Sequence, residues 1–365
     1  MPTFDIAQHR LHNQHLSSPD CKEPADVVKW LGAVQAQDYN GAKWALGLRV
    51  QNATDDAVEK AFASGSILRT HVMRPTWHFV APADIRWLLK LTAPRVNAAS
   101  GYYYRKLELD DAVFKKSNKA LAKALRGGKQ LTRDALRKAV QQAGVATNDL
   151  IRSAHILARA ELDGVICSGA RKGKQFTYAL LDERLPNSTT LERDQALAEL
   201  TRRYFTSHGP ATLQDFVWWS GLTTTDAKSG LDMARRQLVK DVIDDKTYWL
   251  PYSTTTRKPT SSRAAYLLPA YDEYLVAYKD RNAAFDSTYN KGTNFRNVIF
   301  TSSIILRGRV VGSWKRTFKK ASVIISLRPF AQLSKADKEM IADAARRYGD
   351  FLGYPALLAW FSVAS

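Results

Sequence analysis

Cysteine is almost missing from this sequence: Cys21 and Cys167 are two residues in a chain of 365. So few cysteines build no disulfide framework, and with no C-x-x-C pair there is no thiolate zinc site. That usage suits a reducing cytosol. The seven histidines contain no H-x-x-x-H pair on a helix. His9, His12 and His15 share the N-terminal segment and read as surface histidines rather than a weak metal site. Also lacking are a G-x-x-x-x-G-K-[ST] loop, a G-x-G-x-x-G turn after a strand, a G-x-S-x-G elbow, and an H-x-E with P-C-x-x-C. These absences argue against P-loop nucleotide hydrolysis, dinucleotide binding, α/β-hydrolase chemistry and zinc-dependent base deamination. No run approaches the roughly 18 apolar residues of a membrane span. The N-terminus, "MPTFDIAQHRLHNQHL", has no apolar core of a secretion signal. A cytoplasmic chain with no membrane span and no cofactor is therefore expected.

Acid is scarce as well. Lys and Arg number 54 against 35 Asp and Glu, a net charge of +19 and a pI near 9.8. A chain this basic meets polyanions, nucleic acid first among them. The cations cluster at Arg105 to Lys138, Arg171 to Lys174, Arg202-Arg203 and Arg307 to Lys320. A lysine-rich helix face is often only solvated. A hairpin tip with three cations in four residues, Arg171, Lys172 and Lys174, is narrow enough to enter a groove and displace counterions from phosphates. Aromatics lie nearby in "GYYYRK" (Tyr102 to Tyr104), at Phe176 and Tyr178, and at Trp218-Trp219. Rings of this kind more often fill cores than stack on bases.

At 45% hydrophobic, the chain can build real cores. It reads as three similar units and a C-terminal piece. In the first, Val27, Val28, Leu31 and Val34 recur at helical spacing. "TDDAVEKAFASG" follows as a helix capped by Thr54 and ended by Gly65. "SILRTHVMRPTWHFVA" reads as two strands with a bend at Arg74-Pro75. The second unit has helices in "DDAVFKKSNKALAKALRGG", "QLTRDALRKAVQQAG" (Thr132 as cap) and "NDLIRSAHILARAELDG", then the hairpin "VICSGARKGKQFTYALL". The third runs "ERDQALAELTRRYFTSHG", "ATLQDFVWWSGLTTTDAKSGLDMA" with Gly221 between two helices, and the hairpin "LVKDVIDDKTYWL". After the polar loop "STTTRKPTSSR" come strands in "VIFTSSIILRGRVVGSWKRT" and "ASVIISLRPF" and a helix in "SKADKEMIADAARRYGDFL". The expected fold is mainly α with β-hairpins, an α+β class. Its segments are 1–100, 101–188, 189–255 and 256–365.

One short stretch carries the chemistry. In "LGAVQAQDYNGAKWALGLRV" an apolar helix ends, and Gln35 and Gln37 flank a single alanine, followed by Asp38, Tyr39 and a glycine. On the residues alone, Gln35 and Gln37 are capping or packing groups at a helix end. Together with "ILRTHVMRPTWHFVAPADIRWLL", however, the stretch resembles the winged-helix DNA-binding family that contains the AlkZ-like bacterial DNA glycosylases. "HRLHNQHL", the charged hairpin of unit two and "LLPAYDEYLVAYKDR" extend the likeness over most of the chain. The resemblance implies three tandem winged helices in a C-shaped arrangement around duplex DNA, plus a small α+β module, and with them a nucleoid-associated monomer, since such a clamp needs no partner subunit. It implies excision of an alkylated purine. The family's catalytic motif is Q-φ-Q in the AlkZ branch and Q-φ-D in the YcaQ-like branch. Gln35, Ala36 and Gln37 side with the former, with a middle residue smaller than many. Asp38 stands one place too late for the latter.

The expected reaction is hydrolysis of an N-glycosidic bond. A purine alkylated at N7 or N3 is cationic and already a good leaving group. The protein need only hold water against C1′ and stabilise an oxocarbenium-like sugar. A glutamine amide offers an acceptor and two donors for that task, and positioning with fixed dipoles supplies several kcal/mol. Residues i and i+2 share no face of a regular helix, so Gln35 and Gln37 converge only if the helix ends nearby. No lysine lies in the motif, which argues for a monofunctional enzyme. Asp38 and His78 are expected to assist. Lys43, Arg69, His71, Arg74, Thr76, Arg171, Lys172, Lys174 and Arg281 are expected to grip double-stranded DNA bearing the damaged purine. A non-catalytic winged-helix DNA binder, or an RNA-binding protein, remains the alternative.

Overall fold

In the computed structural model, residues 4–186, 190–252, 264–285 and 299–361 are described; the loop expected at 253–263 lies outside them. The architecture is α+β, with a separate small sheet in each of the first three segments and a larger one at the end.

The first segment holds α1 (Ile6–Asn13), α2 (Pro24–Leu31), β1 (Val34–Gln35), α3 (Tyr39–Gly47), α4 (Asp55–Ser64), β2 (Leu68–Val72), β3 (Arg74–Val80) and α5 (Ile85–Lys106). Gly32 ends α2 at φ +80°, a conformation costly for a side-chain-bearing residue. Val34 therefore belongs to a strand, not to the expected helix. Thr54 caps α4 through Ala57 N, and Gly65 terminates it in the left-handed region. The hairpin bends at Met73, φ +63°, one residue before the expected place. Gly221 packs on that bend; a Cβ there would stand 2.2 Å from the Met73 carbonyl oxygen. α5 runs through the boundary expected at residues 100 and 101.

The second segment adds α6 (Asp111–Leu125), β4 (Leu131–Thr132), α7 (Arg133–Gln142), α8 (Leu150–Leu162), β5 (Ile166–Ser168), β6 (Thr177–Leu180) and α9 (Leu181–Arg184). Leu136 and Val140 place one face of α7 inside, as residues four apart must. The third adds α10 (Arg193–His208), α11 (Leu213–Ser220), α12 (Thr224–Ala234), β7 (Leu238–Ile243) and β8 (Lys246–Pro251). Thr212 and Thr223 cap the two shorter helices. The last holds β9 (Ala265–Leu268), α13 (Glu273–Val276), β10 (Ser303–Leu306), β11 (Arg309–Phe318), β12 (Val323–Pro329), α14 (Lys335–Leu352) and β13 (Ala356–Trp360).

The sheet orders are β1-β3-β2, β4-β6-β5, β7-β8 and β13-β12-β11-β10-β9. Among the described strands, only β12 and β13 pair in parallel. Three cores hold these layers together. One joins the buried faces of α2, α3 and α4 to the five-stranded sheet and α14. The second joins the hairpin β2–β3 and α5 to α10, α11 and α12. The third closes within residues 104 to 178. A fully buried ion pair ties the first segment to the last: Arg49 donates to both Asp272 oxygens at 2.8 and 2.9 Å, and also to Gln14 and the Ala45 carbonyl. The geometry is bidentate and every contact is satisfied, the condition under which such a pair is tolerated inside a protein. Its effect is to lock α13, and hence Glu273, beside β1.

Candidate active site

β1 is only two residues long, and it exists because β3 provides a ladder for it: Val34 pairs with Phe79 and Gln35 with His78. The chain then leaves the sheet as a tight loop into α3. Ala36 N donates to the Trp77 carbonyl at 2.7 Å, and Arg69 Nε donates to the Ala36 carbonyl at 3.1 Å. Asp38 caps α3 by accepting from Gly41 N at 3.1 Å. A Cβ at Gly41 would lie 2.7 Å from Asp38 Oδ2 and 3.2 Å from Pro269 Cβ, so a larger residue would push the capping carboxylate aside.

The two glutamines have different surroundings. Gln35 is buried, and its Oε1 accepts from Gln37 N at 3.1 Å. Gln37 is exposed, with no side-chain partner among the described residues. Gln35 N in turn donates to Glu273 Oε1 at 2.8 Å. A strand-like backbone, not the helix end expected from sequence, thus brings residues 35 and 37 together.

Glu273 is the residue that sequence reasoning passed over. It is fully buried at the first position of α13. Its Oε2 accepts from Trp219 Nε1 at 2.9 Å and stands 3.6 Å from His208 Nε2. Burial opposes its ionisation, but His208, Arg74 and the Gln35 N–H outweigh it and hold the carboxyl below its ordinary range. The signal was present: two acids in the apolar, aromatic run "LLPAYDEYLVAY" demand buried partners.

Behind the loop lies His78, wholly buried. Burial, reinforced by Arg74, lowers its pKa to about 3, so it is neutral at pH 7. Its Nδ1 is 3.0 Å from the Thr76 carbonyl and must carry the proton, leaving Nε2 to accept from Arg74 Nη2 at 3.4 Å. His78 is therefore no proton donor at neutral pH. Arg74 Nε and Thr76 Oγ1 are buried without partners. Burial lowers the Arg74 pKa against the pull of Glu273.

The sequence model of the family described as DNA glycosylase AlkZ-like matches residues 28–351. The chain belongs to the AlkZ-like DNA glycosylase family. A relative from Streptomyces sahachiroi, named interstrand DNA cross-link repair glycosylase, is 26% identical over 327 residues, 84% of this chain and 85% of that protein. The solved structure of Streptomyces sahachiroi DNA glycosylase AlkZ superimposes with a TM-score of 0.79 at 20% identity, covering 97% of this chain and 98% of that one; it speaks for the fold.

Against that background, several residues of this AlkZ-like chain expected to hold DNA are engaged with protein instead. Lys43 is buried, with Nζ 2.7 Å from Asp55 and 3.1 Å from Glu59; its charge is neutralised inside, and it faces no groove. Arg171 turns back from the hairpin tip to Glu59 at 3.4 Å and lies over the Tyr39 and Phe176 rings. Arg69 is buried, sandwiched between Trp77 and Phe176. His71 packs at a tilt against Trp77 and donates Nδ1–H to the buried Glu161 of α8. Arg281 sits over Trp218, and its Nε donates to the Leu275 carbonyl; its described contacts do not reach the 35–38 loop. Lys172 and Lys174 are exposed as expected. His9 is buried against Phe4 rather than at the surface. No metal-binding cluster of His, Cys, Asp and Glu occurs among the described residues. No helix of the described residues is long and apolar enough to cross a membrane.

Proposed function

We propose that this chain is a monofunctional glycosylase that hydrolyses the N-glycosidic bond of cationic purines alkylated at N7 or N3 in double-stranded DNA. The supporting observation is the 35–37 loop: an exposed carboxamide, Gln37, whose own backbone N–H is fixed on the buried amide of Gln35. Gln37 Oε1 accepts a hydrogen bond from water and aims the water's lone pair at C1′; as the C1′–O bond forms the C1′–N bond breaks, the purine leaves neutral, and the water's proton passes to solvent. The same dipole faces the positive charge that grows on the sugar. Gln35 acts from behind, its Oε1 setting the turn and its N–H held by Glu273. Asp38 holds the start of α3 in register and adds a nearby negative potential. His78 and Arg74 keep β3 and β1 in place as a neutral ring and its donor. No strong acid is needed, because cleavage discharges the cationic base; the preorganised loop supplies only position and electrostatics.

Lys172 and Lys174 provide phosphate contacts. The name of the Streptomyces sahachiroi relative refers to interstrand cross-link repair. A cross-link attached through an N-alkylated purine presents the same cationic leaving group, so bulky adducts and cross-links fall within the proposed substrate class.

The test is direct. Duplex DNA containing N7-methylguanine is incubated with the protein, heated in alkali and examined for strand breaks. Wild type should give breaks, and Gln37→Ala should abolish them while binding the duplex equally well. Breaks that persist unchanged in Gln37→Ala remove this amide from the reaction. A shifted band with no abasic product from any adduct favours a non-catalytic DNA binder.

A further inference from the structure

α8 opens with an unusual pair. Asp149 caps the helix by accepting from Ile151 N at 2.7 Å and Arg152 N at 3.4 Å. The next two side chains, Leu150 and Ile151, are 68% and 61% exposed. Large aliphatic groups at a helix start gain nothing from water, and scattered single ones need no explanation. These two are not scattered. Tyr102 and Tyr103 of α5 are 62% and 50% exposed, and Tyr103 stacks on His155 of α8, centroids 5.3 Å apart. Leu150 and Ile151 line a cavity of about 290 Å³ together with His71 and Trp77.

Two features place this patch in relation to the glutamines. Trp77 is the residue whose carbonyl holds Ala36 N, and whose ring carries Arg69, the donor to Ala36 O. α8 is fastened to the same hairpin: Glu161 takes the His71 ring and its backbone N–H. Leu150 and Ile151 are thus on a rigid helix docked against the scaffold of the 35–37 loop. The charged side chains of α5 are all basic. Arg95, Arg105 and Lys106 are exposed on α5, and Arg133 is exposed at the cavity. Asp134, the acid beside Arg133, is paired with Arg137, and Asp149 is occupied as a cap.

We propose that Leu150 and Ile151 form a wedge that enters the base stack beside the damaged nucleotide and occupies the space from which the purine is turned out. A base inside a duplex is out of reach of any active site, so chemistry on it requires extrusion. Apolar side chains inserted between base steps compensate for the lost stacking, while flanking cations hold the phosphates. A polyanion fits this surface better than an apolar protein partner, because the exposed Arg133 lines the same cavity as the two aliphatic residues and the exposed Arg95, Arg105 and Lys106 stand on α5, whose Tyr103 stacks on α8. The inference rests on the reading of the chain as a DNA glycosylase, yet its test does not depend on turnover.

The chain carrying Gln37→Ala, which keeps the damaged base in place, is compared with the same chain carrying Leu150→Ala and Ile151→Ala as well. Both truncated side chains are mostly solvent-exposed, so the fold is preserved. The substrate is an N7-methylguanine duplex with 2-aminopurine as the neighbouring base, whose fluorescence rises on unstacking. At protein concentrations that saturate binding by anisotropy, the Gln37→Ala chain should raise the fluorescence several-fold and the triple variant should not. Leu150→Phe with Ile151→Met should restore the rise. In the otherwise wild-type chain, Leu150→Ala with Ile151→Ala should slow base release from fully paired duplex by about tenfold or more. The same lesion in an unpaired bulge should be released at nearly the wild-type rate. A fluorescence rise that survives in the triple variant, or fails in the Gln37→Ala chain, overturns the wedge. So does a loss of dimer mass in sedimentation with unchanged fluorescence, which would make the patch a contact between copies. A rise in fluorescence with no base release by wild type would leave the wedge standing and reject the glycosylase reading instead.

Discussion

Replacing Glu273 by glutamine keeps shape and volume and removes one charge. The carboxylate accepts from Gln35 N at 2.8 Å and from Trp219 Nε1 at 2.9 Å. An amide has one oxygen, so whichever way it turns, its NH₂ meets one of these N–H groups. One hydrogen bond to a charged acceptor is lost, worth about 1.5–3 kcal/mol. Arg74 also loses a nearby carboxylate whose field opposes the lowering of its pKa by burial. The expected loss of stability is therefore roughly 1.5–3 kcal/mol, measured by urea unfolding at pH 7. Release of Gln35 N also loosens the loop that carries Gln37. Misplacement by about 1 Å is enough for a loss on the order of 100-fold in rate. The expected kinetic result is a lower kcat with unchanged duplex affinity. Protonation provides an independent check. The Glu273 carboxyl is held below its ordinary 4.5, so its ionised form stabilises the fold above about that pH. That contribution is lost as pH falls through the lower folded value, and Glu273→Gln should lack this acid limb. A Glu273→Gln chain that loses less than about 1 kcal/mol and keeps full activity would refute the anchoring argument.

His78 gives a second pH signature. Its folded pKa of about 3 lies below the ordinary 6.5. The unfolded chain then binds the extra proton first, and stability falls as pH drops from 6.5 toward 3. Between pH 7 and pH 5 this amounts to about 2 kcal/mol by urea unfolding; in His78→Gln the difference between the two pH values should shrink by that amount. For DNA binding, Lys172→Ala with Lys174→Ala should reduce the slope of log K against log salt by roughly 2. Lys43→Met should leave the slope unchanged, because Asp55 and Glu59 already neutralise that ammonium. Equal slopes for wild type and the double lysine variant would remove the hairpin tip from the phosphate contacts.

Local signals made much of the fold legible in the sequence. Thr54 and Gly65, Thr132, and Thr223 after Gly221 mark helix ends because a cap bonds within three residues of itself. The hairpin β7–β8 was legible for a similar reason: Asp244 and Asp245, both at positive φ, form its turn. α3 was missed because "YNGAKWALG" carries two glycines and no apolar stripe. β1, β9 and β13 were missed because each is short and owes its existence to a partner strand.

The sequence by itself determined that the chain is basic, built of helices and short hairpins, and equipped with Gln35 and Gln37 one residue apart. Its motifs also pointed to the family. Only the tertiary structure decided how those residues are used. The pairing of residue 35 with residue 78 turns an expected helix end into a strand and splits the glutamines into one buried and one exposed. Glu273, 238 positions along the chain from Gln35, becomes the anchor, while Lys43 and Arg171 are withdrawn into ion pairs. The physical reason is that hydrogen bonds within a turn are fixed by neighbours in sequence. Charge compensation in a buried site is fixed by whichever distant group the packing brings within about 3 Å.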